Sequence, residues 1–63
     1  MSDFMRGVYR FAEVATDAEI KQKIAALRIF AERLKKAPYL TEGELNALQD
    51  AERSIEVLEE HLS

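Results

Sequence analysis

Apolar residues in the middle of the chain recur as Ile20, Ile24, Leu27, Ala31 and Leu34, at steps of 4, 3, 4 and 3. That spacing keeps them on one face of an α-helix. A second run, Leu48, Ala51, Ile55, Leu58 and Leu62, steps by 3, 4, 3 and 4, with Leu45 one turn earlier. A third and shorter pattern, Phe4, Val8, Phe11 and Ala15, steps by 4, 3 and 4 near the start of the chain. The pattern predicts three helices, over approximately residues 3–14, 17–36 and 42–62, within a single small domain of residues 1–63.

Two of the helix starts are written into the sequence. The cassettes Thr16-Asp17-Ala18-Glu19 and Thr41-Glu42-Gly43-Glu44 each place a threonine at the N-cap and a glutamate three residues on. In that arrangement the threonine oxygen accepts from the glutamate N–H and the glutamate carboxylate accepts from the threonine N–H, so two otherwise orphaned donors are satisfied. The acids of the first turn also lie at the positive end of the helix dipole. Between the second and third helices lies Lys35-Lys36-Ala37-Pro38-Tyr39, where cations suit a helix C-terminus and proline forbids continuation. A connection this short makes the two helices antiparallel neighbours.

The register of that hairpin can be read from the stripes. Pairing Ile20 with Leu62, Ile24 with Leu58, Leu27 with Ile55, Ala31 with Ala51 and Leu34 with Leu48 gives a constant residue-number sum of 82. On one flank this register sets Lys21 against Glu59 and Arg28 against Glu52, both of opposite charge. The other flank, around Phe30, Ala37, Ala47, Ser54 and Val57, is small or apolar. The first helix, with Gly7 inside it, is too short to be stable alone and must dock on such a surface, in the same chain or in another. The expected fold is all-α: a short N-terminal helix plus an antiparallel helical hairpin, assembling into a dimeric helical bundle. Dimerisation is expected because 63 residues bury a small core and the sequence has no cysteine for disulfides. The surplus apolar positions Phe4, Val8, Phe11, Ile29, Phe30 and Val57 are the candidates for that interface or for one with a different protein.

Charge narrows the function classes. The net charge is −3, but residues 16–37 hold six basic and three acidic side chains, while residues 41–63 hold seven acids and one arginine. An acidic total speaks against nucleic-acid binding, which needs a basic excess on one face. The basic row Lys21, Arg28 and Lys35 also has Glu52 and Glu59 opposite two of its members. The acids Glu52, Glu56, Glu59 and Glu60 read as a solvated helix face or as a docking face for a basic partner. His61, near the end of the last helix, reads as a terminal solvated residue favoured by the dipole. Tyr39 reads as a turn residue covering its own core edge or as a contact anchor.

Chemistry beyond binding finds no footing in the residue pattern. Gly7 and Gly43 are the only glycines, which excludes a glycine-rich phosphate loop. With no cysteine and a single histidine, neither a metal site nor another cofactor site is expected, and no nucleophile and base occur in a recognisable spacing. The expectation is a non-enzymatic protein, soluble and cytoplasmic, without a membrane span. In size and layout it resembles the small cochaperones of type III secretion needle subunits and several phage-encoded inhibitors of host proteins, a likeness of shape that carries no residue across. The leading functional expectation is a small interaction module, acting as regulator, inhibitor or cochaperone, that masks a partner surface through an apolar helix face bordered by charge. The alternatives are an assembly element that binds only itself and, third, a helical-hairpin nucleic-acid regulator.

Overall fold

The computed structural model describes residues 3–63, and within them the chain forms α1 (Asp3–Val14), α2 (Asp17–Lys35) and α3 (Glu42–Leu62), with no strand. Both threonine cassettes act as reciprocal caps. The N–H of Glu19 donates to Thr16 Oγ1 at 3.2 Å, and the N–H of Thr16 donates back to Glu19 Oε1 at 3.0 Å. At α3 the corresponding bonds between Thr41 and Glu44 measure 3.2 and 3.1 Å. Each threonine is extended, with ψ of 162° at Thr16 and 164° at Thr41, which turns its hydroxyl toward the first helical turn. At the other end of α2 the helix stops one residue before the expected position. The Lys36 N–H still reaches Glu32 O, but the Ala37 N–H closes a tighter bond to Leu34 O at 3.2 Å just ahead of Pro38.

Helix α3 is the common support. It packs against α2 over the largest interface and against α1 over a smaller one, whereas the backbones of α1 and α2 scarcely meet. The core gathers Val8 and Ala12 of α1, Ile20 and Ile24 of α2, and Leu58 of α3. Ile20 and Leu58 are completely buried. Phe11, Ala15, Leu27, Ile55, Val57 and Leu62 close over this cluster from its edges. Val8, expected at an interface, is therefore a core residue of its own chain. Its position in the stripe faces α3 directly and leaves only 8% of its surface to solvent.

The ion pairs on the α2–α3 flank differ from the expected partners. Arg28 binds Glu59 at 2.5 Å rather than Glu52, and Lys35 lies 3.8 Å from Glu52. Each base meets an acid farther along α3 than the residue directly across, and the offset is the same in both pairs, whose residue numbers each sum to 87. Side chains on a helix lean toward its N-terminus. On two helices numbered in opposite directions, the tips are displaced in opposite directions along the common axis. A base on α2 thus meets an acid nearer the C-terminus of α3 than the residue level with its own Cα. In the apolar layer Ile24 and Ile20 both gather around Leu58 in the core cluster. Both ion pairs are about half exposed and contribute about 0–1 kcal/mol each, so they report the register more than they stabilise it.

Replacing Thr16 or Thr41 by alanine is expected to cost about 1 kcal/mol in urea denaturation, and the two losses should add, because the caps share no partner. The caps also set an acid limit. Hydrogen bonds from the threonine backbone N–H, and secondarily from its hydroxyl, hold the Glu19 and Glu44 carboxyls below their ordinary 4.5. A group whose folded value is depressed stabilises the fold above its unfolded value and loses that contribution as pH falls through the folded one. Stability should decline on acidification below about pH 4.5, and Glu19→Gln with Glu44→Gln together should flatten that decline in a pH series of denaturation midpoints.

Candidate protein interface

Because α1 and α2 both rest on α3 and scarcely meet each other's backbone, a cleft runs between them over part of their length. Its deeper section, about 390 Å³, has Phe4, Gly7, Val8 and Phe11 of α1 on one wall, Lys23 and Leu27 of α2 on the other, and Ser54 and Leu58 of α3 as its floor. A shallower section of about 340 Å³ continues past Phe4 and Leu27 to Phe30, Ala47, Asp50 and Ala51. Phe4 and Leu27 line both sections, so the two are one continuous surface. The small residues of α3 make this possible. Ser54 is completely buried, and its Oγ donates to the Asp50 carbonyl one turn back at 2.7 Å, which satisfies the hydroxyl without needing a partner from α1.

The walls are apolar and unusually open. Phe4 is 46% exposed and Phe30 44%, whereas Phe11 is half-buried against the core. These three aromatics, which the stripe pattern assigned to an interface, come together around the cleft. Two others do not join them. Ile29 lies exposed on the outer side of α2, away from the cleft lining, and Val57 is tucked into the core edge on the opposite side of α1, near Tyr9 and His61. Tyr39 is free of the core altogether at 82% exposure, so it does not cover the core edge as its turn position suggested.

The acidic row divides in two. Glu52 and Glu59 are engaged by Lys35 and Arg28, while Glu56 and Glu60 are exposed and take part in neither ion pair. An uninterrupted acidic docking face of four carboxylates is thus reduced to two. A larger hollow of about 420 Å³ at the far end of the α2–α3 seam is bordered by the Arg28–Glu59 pair and Lys21, whose charges already face each other. Among the described residues no three His, Cys, Asp or Glu side chains converge to hold a metal ion, and no helix is long and apolar enough to cross a membrane.

Several cleft residues carry no signal in the stripes. Leu27 belongs to the apolar face of α2 but sits at its edge, half-buried, and so serves both core and cleft. Gly7 reads in sequence only as a weakness of α1. In the structure it lies on the cleft wall, where an added Cβ would meet nothing within 4 Å. Asp3, Lys23 and Asp50 border the apolar lining with charge. The available signal was the flank of α2 that carries Lys23, Leu27 and Phe30, a narrow apolar strip with a cation at one end. Comparison with protein-family models, with curated proteins and with solved structures finds no match to this chain.

Surface and core roles separate by mutation. Phe30→Ala should change unfolding free energy by less than about 0.5 kcal/mol, because nearly half of the ring is already in water, whereas Leu58→Ala should cost about 2–5 kcal/mol. Ser54→Leu should overpack the floor, cost about 1–3 kcal/mol and selectively lower hydrogen-exchange protection in α1. Ser54→Ala, which keeps the volume and removes a locally satisfied hydroxyl, should leave α1 protected.

Proposed function

We propose that this chain is a small non-enzymatic interaction module, a regulator, inhibitor or cochaperone acting in the cytoplasm, that engages a partner helix in the cleft between α1 and α2. The observation that carries the reading is the continuous aromatic cleft, with Phe4 and Phe30 about half exposed in a chain of which 33% is charged. An amphipathic helix laid in an apolar groove is a recurrent mode of peptide recognition, read through anchors at i, i+3, i+4 and i+7. The cleft has the length for it. Along α3 its floor extends from Ala47 to Leu58, about 16 Å at 1.5 Å per residue, or three helical turns of a partner. In this reading α2 and α3 form an antiparallel hairpin that acts as the rigid half of the site, bridged by the Arg28–Glu59 and Lys35–Glu52 ion pairs. Helix α1 is the adjustable half. Homodimerisation is part of the proposal, since the same apolar surface is open to a second copy. Glu56 and Glu60 then act at the rim, steering encounter rather than holding the partner.

The test places a photo-crosslinking side chain at Phe30 or Phe4 and, as a control, at Gln49 on the outer face of α3, in cells of the native host. Cleft positions should yield a discrete adduct to another protein that the control lacks. With the captured partner in hand, Phe4→Ala should weaken binding by about 2 kcal/mol or more, as expected of an aromatic anchor. Glu56→Lys should mainly slow association and change its salt dependence. Adducts from Gln49 alone, or parental affinity for both aromatic variants, would remove the cleft as the functional surface.

A further inference from the structure

Building on the reading of the cleft as an interaction surface, we propose that its resting occupant is α1 of a second copy of this chain. That helix is laid antiparallel to the resident α1, so each chain fills the other's cleft about a two-fold axis near Gly7. Dimer and partner-bound forms then exclude each other.

Geometry gives the place. Two helices that share a third as support and scarcely meet one another leave open the fourth corner of a four-helix bundle, and that corner is the cleft. Gly7 gives the closeness. Asp3, Gly7, Arg10 and Val14 step by 4, 3 and 4 along the exposed side of α1, and the glycine stands in open space where another helix can approach without meeting a Cβ.

Charge complementarity gives the occupant. Asp3 lies at one end of the exposed side of α1 and Arg10 two turns further on. The cleft repeats that polarity: Asp50 borders the section beside Phe4 and Phe30, while Lys23 borders the section holding Phe11 and Leu58. A helix filling it needs a base at the Asp3 and Asp50 end and an acid at the Arg10 and Lys23 end. Helix α1 turned end for end meets this requirement. Its Arg10 comes to Asp3 and Asp50, its Asp3 comes to Arg10 and Lys23, and the two-fold axis makes every pairing occur twice. Its Phe4 and Phe11 bring aromatic faces to Phe4, Phe11 and Phe30, in the offset contacts such rings favour. The outer faces of the other helices fit less well. That of α3 carries Gln49, Arg53, Glu56 and Glu60 and no large apolar side chain, and that of α2, with Ile29 as its one large apolar residue, would bring Arg33 toward Lys23 and carries no aromatic ring.

The experiment is sedimentation equilibrium on the full chain and on charge variants, with circular dichroism to confirm helicity. The parent should be dimeric at about 100 μM, a concentration where mass action favours association. Asp3→Arg alone and Arg10→Asp alone each set like charges against each other twice and should weaken the dimer about tenfold or more. An equimolar mixture of the two variants should recover parental affinity, because one chain then carries two bases and the other two acids. Gly7→Leu should raise helicity and abolish the dimer by filling the crossing point. A monomeric parent, or single variants as tightly dimeric as the parent, would overturn the proposal, as would a mixture that fails to recover. A monomeric parent whose Phe30 position still crosslinks to another protein defeats the dimer and keeps the interaction module. Recovery in the mixture without an adduct to any other protein supports the dimer and defeats the masking function.

Discussion

The side chain of Leu58 is closed off from solvent from two directions at once, by Ile20 and Ile24 of α2 and by Val8 and Ala12 of α1. A single helix can cover only one side of a neighbour, so burying this leucine demands both. That requirement holds the arrangement together. It fixes α2 through a long seam and draws α1, which lacks the length to be helical alone, onto the same support. Leu58 and Val57 of α3 serve the α1 side as well as the core, and Ser54 is buried on the floor between the two helices. Where α1 and α2 diverge above that floor, the cleft is left open.

The fold was largely legible in the sequence because its signals are local and agree. The capping cassettes place two helix starts to the residue, Pro38 follows the end of the second helix, and the stripes of α2 and α3 give most of their buried faces, whereas in α1 the buried residues are Met5, Val8 and Ala12 and only Val8 belongs to the expected stripe. What misled was an inference about long side chains made from Cα positions. Treating Arg28 and Glu52 as opposite ignored the lean of both side chains toward their own N-termini, which moves the partner to Glu59. Short apolar residues tolerate that approximation. Arginine and lysine do not.

The candidate site was legible only in part, for a different reason. Phe4, Phe11 and Phe30 stand out in any helical projection, and they do converge. Yet an apolar stripe does not say whether it is buried by its own chain, which is why Val8 and Phe30 looked alike. One ends at 8% exposure and the other at 44%, because Val8 points at α3 while Phe30 points past it. Gly7, Lys23 and Asp50 become part of the cleft only once the azimuth of α1 around α3 is known. Ser54, completely buried on the cleft floor, belongs to the small-residue flank on which the sequence leads α1 to dock.

The two capping boxes reach only from a threonine to the glutamate three residues later, and so call for no tertiary contact. They remain available when the core is absent. Denatured chains retain fluctuating helical segments, and here such segments nucleate at Thr16 and Thr41 with the phase of each apolar stripe already set. Collapse then brings together faces rather than unpatterned chain. Helix α1 has no such box, so its helical order leans on its packing against α3.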